Sequence, residues 1–222
     1  MAEPKRPRET GTARAGYLGE AAALLERSVG YALGAARSVT PTLLGRPTPC
    51  AAWDLGRLLA HMDDSLAALY EGITEGAVAL RPRADPYDER APTQGSGSRS
   101  GAGSDPAALF RRRAVRLLGA WAAAGTGHRP TSIAGSPLTA EALALTGAVE
   151  LAVHGWDITR ATGEHDRPLP AALSAALLPV AHQLVPHEAA ARAPLFAPVI
   201  PLPPGAPPAA RLLAFLGRAP EK

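Results

Sequence analysis

Apolar residues recur every three or four positions along most of the chain, which is the period of helices that bury one face. The first such run is "YLGEAAALLERSVGYALGAARSV", from Tyr17 to Val39, with Leu18, Ala22, Leu25, Val29 and Leu33 on one stripe. Pro41 is expected to stop it. Pro47 and Pro49 then force an extended connection. A second helix is predicted to begin between Ala51 and Asp54, with Leu55, Leu58, Leu59, Met62, Leu66, Leu69 and Ile73 forming the core stripe. His61 falls on the flank of that stripe. Asp105 followed by Pro106 makes a sound cap and first-turn pair for a third helix, "PAALFRRRAVRLLGAWAAAG". After the turn-rich "TGHRPTSIAGSP", Thr139 opens a fourth helix that runs to about Ala161 and ends at Gly163. Leu145, Val149 and Trp156 share one face of it, and Leu143, Gly147, Glu150 and His154 share the opposite one, so burial on both sides is expected.

The rest of the pattern is less regular. "LPAALSAALLPVAHQLVPHEAAAR" reads as one helix, or a pair interrupted by Pro179 and Pro186. The Pro-rich strap "APLFAPVIPLPPGAPP" and a short terminal helix, "AARLLAFLGRAP", follow. Residues 1–14 carry charge, Pro and Gly with nothing to bury, and are expected to be a disordered basic tail. The stretch 81–105 ends in a Gly/Ser-rich run and reads as a long flexible loop, an insertion or a cover over a site. The expected organisation is the tail, a helical bundle over 15–164 carrying that loop, and a helical extension over 165–222 packed on the bundle. Few runs of Val, Ile or Thr suggest strands, so the fold class is all-α.

Composition removes several functions. The net charge is only +3, and the excess of basic residues sits in the tail and around Arg111 to Arg113, without the aromatic-lined basic face that nucleic acid would need. Cys50 is the single cysteine, which rules out an internal disulfide and a Cys-based zinc cluster. The chain begins without the apolar core of a signal sequence, and no run approaches the about 20 apolar residues that span a bilayer. A cytoplasmic protein is therefore expected, with no membrane or nucleic-acid partner.

Candidate chemistry centres on "TGAVELAVHGWDITRATGEH". Glu150 and His154 lie four apart and project from one side of a helix, so they can bind one ion together or simply hydrogen-bond. His61, mid-helix elsewhere, would complete a two-His, one-carboxylate set that suits zinc or another first-row divalent ion and leaves coordination positions open. His128 and His165 lie in predicted turns, and His182 and His187 beside helix-breaking prolines, which makes them weaker candidates. Asp157 could orient a metal-bound imidazole or water, or pair with Arg160. Cys50 has a functional reading as nucleophile or fourth ligand, and a structural one as a small hydrophobe.

Three segments carry a resemblance: "TPCAAWDLGRLLAH", "ELAVHGWDITRATG" and "FAPVIPLPPGAPPAARLLAFLGRAP". In this order, from Thr48 to Pro220, they resemble the mycothiol-dependent maleylpyruvate isomerase-like metal-binding family of the DinB/YfiT-like superfamily. The 81–105 loop has no recognised counterpart there. The resemblance implies a four-helix bundle whose divalent metal is held by His61, Glu150 and His154, the set that helix geometry also offers. Zinc is the foremost ion, with nickel and other first-row ions open. It further implies mycothiol or a similar low-molecular-weight thiol as cosubstrate, and S-transfer or isomerisation of a small electrophilic metabolite as the reaction. A non-catalytic metal- or ligand-binding or interaction protein, and a metal-dependent hydrolase, are the alternatives. Trp53 belongs to the "TPCxxW" segment and reads as packing. The oligomeric state is left open between monomer and homodimer.

Overall fold

The computed structural model describes residues 11–50, 53–78, 105–124, 130–133, 135–193 and 195–220. Among them run α1 (Gly11–Ala35), α2 (Leu55–Glu75), α3 (Pro106–Ala124), α4 (Ala140–Thr162), α5 (Ala171–Leu184), α6 (Ala189–Arg192) and α7 (Pro208–Phe215). Short 3-10 turns cover Ala36–Ser38 and Pro41–Leu43. The chain is mostly helical, as its apolar periodicity requires.

The four long helices form the bundle. α4 packs against α1 and α2, and α3 packs against α2 and α1. Leu25, Val29, Leu58, Leu59, Met62, Leu66, Phe110, Leu117, Leu151 and Ile158 fill the space between them and are essentially inaccessible. α4 is buried on both faces, with Leu143, Val149 and Trp156 all in the core. Such two-sided burial needs small residues where backbones come close. At Gly155 an added Cβ would lie 3.1 Å from the Cα of Ala32 and 3.0 Å from the Tyr31 ring, so this glycine sets the approach of α1 to α4.

The helix ends follow the sequence signals. Asp54 caps α2 by accepting from Arg57 N at 2.8 Å, and Asp105 accepts from Ala107 N at 3.0 Å. Thr139 Oγ1 accepts from Ala142 N at 3.0 Å, and Gly163 closes α4 in the left-handed region.

Four expectations need correction. α1 extends back to Gly11, into the stretch expected to be structureless, because Ala13, Arg14 and Ala15 are good helix formers; residues 1–10 lie outside the described residues. The helix also ends at Ala35, tightening into a 3-10 turn well before Pro41. α5 continues through Pro179 and stops only before Pro186, since Leu173, Leu177, Leu178 and Ala181 bury a continuous face that offsets the lost backbone hydrogen bond. Finally, the "turn-rich" segment leads through strands: β2 (Pro130–Ile133) pairs antiparallel with β3 (Ser136–Thr139), and β1 (Ala77–Val78), just after α2, pairs parallel with β2. This small sheet leaves the fold class unchanged, and β3 leads straight into the Thr139 cap. Apart from Asp105, the loop expected over 81–105 lies outside the described residues.

In the C-terminal segment α5 lies on α1 and α4, and α7 lies on α5. The strap between them is tied by Arg192, which is almost wholly buried. Its guanidinium donates to Ala197 O at 2.8 and 3.0 Å, to Pro186 O at 3.0 Å and to Phe215 O at 2.6 Å. Three backbone carbonyls thereby satisfy a buried cation. No described helix is long and apolar enough to cross a membrane.

Candidate metal centre

α2 and α4 face one another, and their neighbouring turns bring His61, Glu150 and His154 together. Each offers a ligand atom, and these atoms all lie within 4.8 Å of one another. That is close to the spacing required by bonds of about 2.0–2.1 Å to one ion, and the set combines two borderline nitrogens with one hard oxygen. Glu150 sits between the imidazoles, Oε1 at 3.4 Å from His61 Nε2 and Oε2 at 3.2 Å from His154 Nε2. The donor set thus fits a divalent ion on residue chemistry and on placement.

Exposure is graded across the site. The side chains of His61 and Glu150 are 31% and 40% exposed, whereas those of His154 and Asp157 are 6% and 0% exposed. One side of the cluster therefore opens to solvent and the other is anchored in the bundle. His154 Nδ1 lies 2.9 Å from Asp157 Oδ2. A carboxylate can only accept, so Nδ1 donates to Asp157, and Nε2, facing the Glu150 carboxylate, donates to it when protonated and has its lone pair available to an ion once that proton is lost.

The electrostatics agree with this reading of the protons. Burial alone would raise Glu150, but hydrogen bonds from His154 and His61 outweigh it and hold the carboxyl well below the usual carboxylate range. Burial alone would depress His154, yet the hydrogen bonds to Asp157 and Glu150 prevail and raise it above its ordinary value. A cation bound by these donors would displace any proton held between Glu150 and His154.

Trp53 forms an aromatic wall. Its ring centroid lies 4.5 Å from that of His61 and 5.9 Å from that of His154, while the two imidazoles stand edge to face at 5.1 Å. The packing expected of Trp53 is therefore packing against the candidate ligands themselves. Cys50, half-buried, accepts at its backbone carbonyl from Thr48 Oγ1 at 3.1 Å and from Trp53 N at 2.9 Å, fixing the turn that presents this ring.

The sequence reading missed Arg218. Its Nη2 donates to Asp157 Oδ2 at 3.0 Å, and Nε lies 3.5 Å from Oδ1. Arg160, the partner considered from sequence, donates from Nη2 to Glu164 O at 2.8 Å and stacks over Trp156 at 5.4 Å. Nothing in local spacing links positions 61 residues apart, so only the docking of the C-terminal segment could have shown Arg218. The weaker histidine candidates stand apart from the trio: His182 and His187 stack on each other and on Phe215, and His128 lies outside the described residues.

The bundle agrees with comparison to known proteins. The family profile of the mycothiol maleylpyruvate isomerase N-terminal domain matches residues 25–159, more than half of the chain. The protein belongs to that family, whose members are DinB-like helical bundles. No curated protein and no solved structure matches the chain.

Proposed function

We propose that the protein is a divalent-metal-dependent, thiol-using transferase or isomerase acting on a small electrophilic metabolite, with His61, Glu150 and His154 as the metal ligands. The observation that carries this reading is the convergence of those three donors on the solvent-open side of a buried His–Asp pair. Zinc is the preferred ion for two imidazoles and a carboxylate, with nickel or another first-row ion next. A low-molecular-weight thiol of the mycothiol type is the cosubstrate that the family membership supports.

When bound, the ion supplies a positive charge that lowers the pKa of a thiol from near 8.5, so that the nucleophilic thiolate is populated at neutral pH. His154, whose Nδ1 proton is held by Asp157, would offer a bound ion the lone pair of Nε2. His61 and Glu150 leave the approach from solvent open. Trp53 shields the ligand imidazoles on their flank and gives the approaching electrophile an apolar surface. The cosubstrate's sulfur then bonds to an electrophilic carbon of the metabolite, and the proton that the thiol released returns to the neighbouring atom, giving S-transfer. In isomerisation the adduct rotates about its newly single carbon–carbon bond. The carbon–sulfur bond then breaks, the double bond re-forms and the thiol is regenerated.

The test is a cobalt-substituted protein titrated with mycothiol, and with glutathione as a second thiol. A new sulfur-to-cobalt charge-transfer band in the near ultraviolet is expected. Unchanged spectra with both thiols would sink the thiol reading and leave a non-catalytic metal-binding scaffold or a hydrolase that uses the open position for water.

A further inference from the structure

The buried side of the candidate centre is completed from the far end of the chain. Asp157 Oδ2 is shared between His154 Nδ1 at 2.9 Å and Arg218 Nη2 at 3.0 Å. Asp157 is fully buried, so its charge needs a partner, and the Arg218 fork supplies one.

The position of Arg218 is set by the way α7 ends. Gly217 adopts φ 78°, its N–H donates to Ala214 O at 3.1 Å, and Arg218 N donates to Leu213 O at 2.8 Å. This is the paired hydrogen-bond pattern of a helix closed by a left-handed residue, and it turns the next side chain back towards the bundle. Arg218 Nη1 also donates to Leu216 O at 3.0 Å, which leaves the guanidinium little freedom. The strap locks the turn from outside. A Cβ at Gly217 would meet Ala197 Cβ at 2.6 Å, and Ile200 N donates to Ala214 O at 3.0 Å. A continuous relay therefore runs from strap to α7, to Arg218, to Asp157, to His154.

We propose that Arg218 is a positioning residue for the metal centre, acting through Asp157 on His154, so that docking of the C-terminal segment and occupancy of the centre are coupled. The proposal rests on the metal reading above. An Asp157 carboxylate held by Arg218 keeps the His154 ring in one orientation with its proton on Nδ1. Without Arg218 the buried carboxylate loses the contact that fixes it and can rotate away from His154. Coupling runs both ways: whatever Arg218 contributes to metal affinity, the metal contributes to docking of α7.

Two readouts test it, neither of them enzyme activity. The first is zinc affinity, by competition with a chelator, for the wild type, Arg218→Ala, Arg218→Lys and, as a control on the exposed side of α7, Arg211→Ala. The ion-free melting temperature of each is recorded alongside. Arg218→Ala is expected to weaken zinc binding by about 10–100-fold. Arg218→Lys, which keeps the charge but loses the fork, should recover part of that, and Arg211→Ala should match the wild type. The second is amide hydrogen exchange over Leu213 to Arg218 in the wild type, which zinc should slow; this arm needs no variant and holds even if Arg218→Ala fails to fold. Zinc affinity within about twofold of wild type in both Arg218 variants, or exchange indifferent to zinc, would overturn the coupling while leaving the metal reading intact. A wild type that binds no zinc, nickel or cobalt would instead overturn the metal reading and the coupling with it.

Discussion

Gly155 follows the buried candidate ligand His154, and replacing it by alanine measures how tightly the site is built into the bundle. A Cβ there would lie 3.1 Å from the Ala32 Cα and 3.0 and 3.2 Å from the Tyr31 ring. Ordinary carbon–carbon contact is about 3.5–4.0 Å, so α1 and α4 must separate by several tenths of an ångström, and a backbone atom cannot swing aside as a side chain can. Overpacking of this kind costs about 1–3 kcal/mol. Alanine's helix propensity returns up to about 1 kcal/mol, leaving a net loss of up to about 2 kcal/mol for Gly155→Ala. Gly119, exposed on α3, is the matched control, since nothing lies within 4 Å of its added Cβ. Gly119→Ala should gain about 0.5–1 kcal/mol from propensity alone. Thermal unfolding of the two ion-free variants should therefore shift in opposite directions, with Gly155→Ala falling by up to about 8 °C for a chain of this size. A Gly155→Ala protein as stable as Gly119→Ala would refute the close approach of α1 to α4, and with it the rigid seating of His154.

Other consequences are open to direct measurement. In the ion-free protein, the raised His154 stabilises the fold fully below its unfolded value near 6.5 and loses that contribution as pH rises through the folded value. The depressed Glu150 contributes above its unfolded value near 4.5 and is lost only as pH falls well below it. Urea unfolding without metal should thus show this site's contribution at its greatest between about 4.5 and 6.5, declining above. With saturating zinc the trend above 6.5 should reverse, because protons compete with the ion; a metal-free protein that gains stability from this site above neutrality would contradict the proton assignment. Elsewhere, Arg113 Nε lies 2.8 Å from the buried Asp63 Oδ1, an ionic contact and not a well-aligned hydrogen bond. Asp63→Ala removes a buried ionic partner of Arg113 and should cost about 3–5 kcal/mol in urea unfolding, whereas a loss under about 1 kcal/mol would mean that water reaches the pair.

Much of this architecture was legible because local signals and tertiary packing agree. The stripe from Leu55 to Leu69 is the face of α2 that is buried, and Asp54, Thr139 and Gly163 end their helices as their chemistry requires. The spacing of Glu150 and His154 places them on one side of α4, and His61, mid-helix on α2, is offered as the third member by helix geometry and implied also by the family resemblance; the structure brings it beside them. What stayed hidden depends on contacts distant in sequence. β2 and β3 contain two prolines and a serine pair, "PTSI" and "SPLT", and become strands through pairing with each other and with β1, which no propensity reports. Pro179 reads as a helix breaker until the buried face of α5 is known. Arg218 looks like one more arginine in a C-terminal tail, and only the strap and the turn at Gly217 carry it to Asp157.

The central claim is that His61, Glu150 and His154 hold one divalent ion between α2 and α4. Elemental analysis of the purified wild type beside His61→Ala and Glu150→Gln tests it most directly, with circular dichroism to show that each variant is folded. The expected result is near-stoichiometric zinc or another first-row ion in the wild type, and its loss from both folded variants. Metal absent from a wild type reconstituted with these ions, or retained in full by His61→Ala, would contradict the account.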